Sequence, residues 1–171
     1  MKLNYQEHIP EDFHSESKVW IYQSNRLLSI NEALQLENIL NEFVSNWESH
    51  GAAVKGYANL FFGQIIVFMA DDSDDRICGR AIDAVARFVQ EIEKQFSINL
   101  IDRQSLAFLV KDKIQLLPFS QLNYAIENSF IDLDTLYFNN LVSTKKDLLN
   151  NWLIPVKESW LMNKIKTAKA V

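Results

Sequence analysis

The stretch Ile65-Ile66-Val67-Phe68-Met69-Ala70-Asp71-Asp72-Ser73-Asp74-Asp75-Arg76-Ile77-Cys78-Gly79-Arg80-Ala81-Ile82-Asp83-Ala84-Val85-Ala86-Arg87-Phe88 decides how the chain is read. Residues 65–70 form a nearly continuous apolar run, which predicts a well-buried strand and is too short to span a membrane. The run ends in an acidic loop at residues 71–75. Cys78-Gly79 then leads into a segment where Ile82, Val85, Val89, Ile92 and Phe96 recur on one helical face. A chemical site, if the chain has one, is expected at this joint between loop and helix.

Outward from that stretch, residues 54–62 carry recurring aromatic and aliphatic side chains, and Gly63-Gln64 offers a tight reversal, so the buried strand is the second arm of a hairpin. Residues 18–23 have the β-branched and aromatic content of a strand. Ser29-Ile30-Asn31-Glu32 has the form of a capping box, followed by Ala33, Leu36, Leu40, Phe43, Val44 and Trp47 at helical spacing. This first helix is expected to stop at His50-Gly51. Residues 105–110 and 114–119 read as two further strands joined by Lys111-Asp112-Lys113. Ser120, then Thr144-Lys145-Lys146-Asp147, are expected to start short helices, and Pro155 interrupts the C-terminal segment. The order strand, helix, strand, strand, helix, strand predicts an α+β fold with a ferredoxin-like split βαβ core, an antiparallel sheet with both helices on one face. An extra strand and a helical C-terminal extension complete it. The chain is read as a single domain, 1–171, with an irregular lead-in (1–17), an α+β core (18–119) and a mainly helical extension (120–171).

Composition narrows function. Apolar residues make up 48% and charged residues 23%, and 4 Gly with 3 Pro leave little room for linkers. With 17 basic against 22 acidic side chains, net −5, the chain has no electrostatic source for gripping a phosphate backbone, so nucleic acid is excluded as a partner. No apolar run reaches membrane-spanning length and residues 1–7 lack the apolar core of a signal peptide, so a cytoplasmic protein without membrane insertion is expected. The single cysteine, Cys78, excludes an internal disulfide and a multi-cysteine zinc site.

Several segments together carry a resemblance: Val19-Trp20-Ile21-Tyr22-Gln23-Ser24-Asn25-Arg26, Trp47-x-x-His50-Gly51-Ala52, Gly79 with Ile82-Asp83 and Arg87-Phe88, and Asp102-Arg103. Phe138-Asn139-Asn140-Leu141-Val142 and Asn151-Trp152-x-x-Pro155-x-x-x-Ser159-Trp160 extend it. The chain resembles, over roughly residues 18–160, a family of short uncharacterised bacterial proteins often labelled "ABC transporter ATPase". That label requires a Gly-x-x-x-x-Gly-Lys-Ser/Thr loop, whose amides cradle phosphates. The four glycines, at 51, 56, 63 and 79, provide neither this loop nor a Gly-x-Gly-x-x-Gly motif, so by motif the chain is not an ATPase. In the family the stretch entering the second helix runs close to Ser-Gly-Cys-Ser-Ile-Asp. Here it is Cys78-Gly79-Arg80-Ala81-Ile82-Asp83, with Arg80 at the family's cysteine position, so the resemblance supplies no catalytic nucleophile.

The candidate ligand-binding residues are therefore Cys78, Gly79, Arg80, Asp83, Asp102 and Arg103. A thiol just before a helix is open to pKa lowering by the free amides, against the plainer reading of a small residue filling a joint. Asp83 either caps the helix dipole or joins Arg80 or Arg103 around a small anion. Asp102-Arg103 is either an ion pair closing a loop or a ligand clamp. Acidic oxygens at 71–75 suit a hard cation but lack the later Gly and distal Glu of an EF-hand, which favours a solvated loop. His8, His14 and His50 share no ligand spacing, so no metal or other cofactor is expected. Trp152 and Trp160 either line a recognition surface or pin a tail to the domain. The leading expectation is a non-enzymatic domain that binds a partner protein or its own copy by sheet surface, edge strand or Trp-bearing tail. The alternative is a small-molecule or anion-binding protein, or an enzyme, with its pocket at the entrance of the second helix.

Overall fold

A computed structural model describes residues 4–74 and 76–166. The chain is mixed α and β with antiparallel sheets, and its described residues divide into two compact units, one within 4–102 and 140–149 and the other 103–139 and 150–166.

The first unit is built on a three-stranded sheet of order β1-β5-β4, from β1 (Lys18–Gln23), β4 (Lys55–Phe61) and β5 (Ile65–Asp71). Between β1 and β4 lie helix α1 (Ile30–Ser45) and a short hairpin of β2 (Glu48–Ser49) and β3 (Ala52–Ala53), and helix α2 (Gly79–Phe96) follows β5. The expected capping box forms at Ser29: its hydroxyl accepts from the Glu32 amide while the Glu32 carboxylate accepts from the Ser29 amide. Helix α1 stops earlier than expected, at Ser45, because Trp47 turns inward and is buried while His50-Gly51 serve the β2–β3 turn. Ile66, Phe68 and Ala70 of β5 face Leu36 and Leu40 of α1 and Val85, Val89, Ile92 and Phe96 of α2. At the centre Phe43 stacks on Phe88 with ring centroids 4.3 Å apart, and both meet Phe68 edge-on.

Successive strand residues point to opposite faces, so Ile65, Val67 and Met69 look away from the helices, yet all are completely buried. The irregular lead-in covers that side. Tyr57 and Phe61 are the cross-strand partners of Met69 and Ile65 and share their face. Tyr57 donates its hydroxyl to the His8 carbonyl at 2.7 Å, and the His8 ring lies edge-on to Phe61. Tyr5, Ile9 and Phe13 are buried. Residues 140–149 complete the cover. Asn140 donates to the Gln23 side chain, Val19 donates to the Ser143 carbonyl, and the buried Lys145 ammonium donates to the Glu11 and Phe13 carbonyls at 3.0 and 2.7 Å.

The second unit contains a four-stranded sheet of order β7-β6-β8-β9, from β6 (Ser105–Val110), β7 (Lys113–Pro118), β8 (Leu136–Phe138) and β9 (Leu153–Pro155). Helix α3 (Leu122–Glu127) packs Leu122 and Ala125 with Leu106, Phe108, Tyr137, Val156 and Leu161. Helix α4 (Lys145–Asn151), whose residues 145–149 belong to the first unit, begins just after Thr144, as expected. The strand expected to complete the split βαβ sheet, β6, forms over the expected residues but pairs with β7 and β8. The free side of β1 is met instead by an isolated bridge from Lys18 to Thr144. Two short strands, β8 and β9, interrupt the extension read as mainly helical.

Candidate functional site

The entrance of α2 is assembled from a distant stretch of chain. The β2–β3 hairpin turns on His50 at φ 54° and Gly51 at φ 78°, the left-handed pair that a two-residue hairpin turn requires. Trp47 sits at its base, donating its indole N–H to the Ala81 carbonyl in the first turn of α2 at 2.9 Å. Gly56 makes room for that ring: a Cβ there would lie 2.6 Å from Trp47 Cε3. The hairpin thereby reaches Cys78, the N-cap of α2, whose amide donates to Ser49 Oγ at 3.0 Å. The thiol is half-buried. The Ser49 side chain, then the Ala81 amide against the opposing effect of burial, with the His50 and Arg80 amides, lower its pKa to about 7.

Gly79, Arg80 and Asp83 occupy the same first turns of α2 and are all exposed. Asp102, at the other end of the helix, and Arg103 are also exposed. The 18 residues of α2 span about 27 Å. The loop leaving it is held there, because Glu93 Oε1 accepts from the Leu100 and Ile101 amides at 2.6 and 3.2 Å and Asn99 Oδ1 accepts from the Asp102 amide. Of the six candidate ligand-binding residues, Cys78, Gly79, Arg80 and Asp83 stay together, Asp102 lies a helix length away, and Arg103 belongs to the other unit.

The start of the acidic loop is tied to the lead-in, β1 and β4. Asp71 accepts from the His14 amide at 3.0 Å and lies 3.3 Å from the Lys55 ammonium, and Asp72 lies 3.0 Å from Lys18. Burial pushes the Asp71 carboxyl up, but the His14 amide, Ser73 and Lys55 outweigh it and leave its pKa lowered. Among the described residues no group of three or more His, Cys, Asp or Glu side chains is placed to hold a metal. Asp75, the last member of the acidic run, lies outside the described residues.

Trp152 and Trp160 both take part in packing within the second unit. Trp152 is completely buried and meets Phe138 edge-on at 5.7 Å. Trp160 is partly buried, stacks on Phe119 and donates its indole N–H to the Tyr137 hydroxyl at 3.2 Å. Both pin the C-terminal segment onto the second unit, because two large rings gain more from burial than from exposure.

Among the described residues, β7 pairs with another strand on one side alone. Lys111 and Asp112, at φ 49° and 59°, make the two-residue turn between β6 and β7. The Phe119 amide donates to the Gln104 carbonyl at 2.7 Å, so these two form a hydrogen-bonded pair. By the alternation of an antiparallel ladder, Leu117, Gln115 and Lys113 are likewise bonded to Leu106, Phe108 and Val110. Ile114, Leu116 and Pro118 fall at the intervening positions and aim their backbone groups away from β6. Proline, lacking an N–H, is tolerated at such a position, as Pro118 illustrates. Strand β7 is the end strand of its sheet, with Ile114 and Leu116 half-buried and Lys113 and Gln115 exposed. The sequence signal for this edge was the Lys-Asp-Lys turn and the terminal proline. For Ser49 the only signal was its place beside Trp47-x-x-His50-Gly51.

Among the described residues no helix is long and apolar enough to cross a membrane. No family model, curated protein or solved structure matches the chain.

Proposed function

We propose that the protein is a cytoplasmic, non-enzymatic interaction module that accepts an extended segment of another polypeptide along β7. The observation that carries this reading is the outward row of backbone groups at Ile114, Leu116 and Pro118 on an end strand whose apolar side chains are only half covered. A docked strand satisfies the row with main-chain hydrogen bonds, and the Ile114 and Leu116 side chains supply apolar contacts to alternate residues of the guest. The protective devices of edge strands, a lysine and a proline, sit at its two ends, Lys113 and Pro118, and leave the middle open. The first unit serves as a scaffold, and its order β1-β5-β4 with both helices against one face supports reading it as a split βαβ lacking its fourth strand.

The test is selection of extended peptides from a random display library on the intact protein. Leu116→Pro deletes an outward N–H without touching a bond to β6, whereas Leu116→Ala keeps that N–H. Selected peptides are expected to bind the wild type, to weaken on Leu116→Ala and to be lost on Leu116→Pro. Peptides that bind Leu116→Pro as well as the wild type would overturn the reading, as would failure to enrich any.

A further inference from the structure

We infer that the strand β7 accepts is β7 of a second copy of this chain, an inference that rests on the reading of β7 as a strand-accepting edge. The outward positions Ile114 and Leu116 are two residues apart, so an antiparallel two-fold pairing centred on Gln115 sets Ile114 opposite Leu116 of the second copy, and Leu116 opposite Ile114. Each of those pairs exchanges two N–H to O=C bonds, giving about four bonds across the axis. The side chains suit this register. Two half-buried aliphatics meet across the new ladder, the pairs that stabilise a sheet when they become central. Lys113 falls opposite Leu117, Lys111 opposite Phe119 and Asp112 opposite Pro118, so no like charges oppose one another. Pro118 lies outside the bonded pairs and blocks none of them.

The result is a continuous eight-stranded sheet formed from two four-stranded ones. The pairing rests on about four main-chain bonds and the aliphatic contacts beside them rather than on a broad apolar core, so the dimer forms and dissociates with concentration.

The centre of the axis provides the test. Gln115 opposes itself at a non-hydrogen-bonded position, where Cα atoms are about 4.5 Å apart, within disulfide range. In a Cys78→Ser background, Gln115→Cys is expected to form a covalent dimer under mild oxidation, and Lys113→Cys, equally exposed but opposite Leu117, is not. In sedimentation equilibrium the wild type is expected to rise from 19.8 kDa toward twice that mass with concentration, and Leu116→Pro to remain a monomer. Equal cross-linking of the two cysteine variants, a monomer at every concentration, or a dimer that survives Leu116→Pro would each overturn the inference. Peptides that bind the wild type but not Leu116→Pro, found alongside a strict monomer, would leave the strand-accepting reading standing while this inference falls.

Discussion

At Cys78 the chain brings the Ser49 hydroxyl and three backbone amides around one thiol, and lowers its pKa from the ordinary 9.0 to about 7. Each donor stabilises the thiolate more than the thiol, so the shift is downward although burial opposes it. Below pH 7 the group is mainly thiol. As pH rises through about 7 it becomes thiolate, and its nucleophilic reactivity rises with it. Alkylation by iodoacetamide, followed by mass spectrometry, is therefore expected to show a midpoint near pH 7, and Ser49→Ala to move that midpoint upward. A midpoint near 9 in the wild type, or no change in Ser49→Ala, would contradict this account. The cysteine was legible in the sequence because a residue ahead of an amphipathic helix marks an N-cap. Its partner was not, because Ser49 lies 29 residues earlier and arrives only through the hairpin geometry.

At the scale of elements, the pairing of Gly56 with Trp47 fixes where the hairpin meets α2. A methyl group at position 56 would press on the indole ring at 2.6 Å, and the ring is held by its bond to Ala81. Gly56→Ala is expected to destabilise the protein by about 1–3 kcal/mol, the usual range for overpacking. In urea unfolding followed by tryptophan fluorescence, this appears as a lower midpoint with an unchanged slope. Adding Trp47→Phe, which removes the crowded atoms, should recover part of the loss; an unaltered midpoint in Gly56→Ala would show that the ring yields freely. Elements set by local chemistry were legible: β1 and β6 form over the residues expected, and α1 begins at its capping box. The end of α1 was misread because apolar spacing continues to Trp47, and spacing alone does not separate a last helical turn from a side chain anchoring a hairpin. The sheet to which β6 belongs was equally hidden, since pairing depends on long-range partners rather than on its own residues.

For the whole molecule, the decisive feature is that the central strand of the first unit is buried on both faces while α1 and α2 cover only one. A nearly continuous apolar run at residues 65–70 follows from that double burial. Much of the cover on the second face is a segment that the sequence presents as a mere lead-in; the spacing of Tyr5, Ile9 and Phe13 at intervals of four was its one signal. Removing that cover should expose Ile65, Val67 and Met69 together, an apolar patch that a soluble surface does not tolerate. Truncation before Glu16 is therefore expected to lower the thermal midpoint, raise binding of a hydrophobic dye and promote aggregation. Ile9→Asp, which buries a charge under the lead-in without shortening it, should act in the same direction. Leu141→Asp provides the contrast, because Leu141 is 68% exposed and its substitution should leave the midpoint within experimental scatter. If the truncated chain melted like the intact one and bound no more dye, the lead-in would not be part of the core, and the burial of the second face would need another cause.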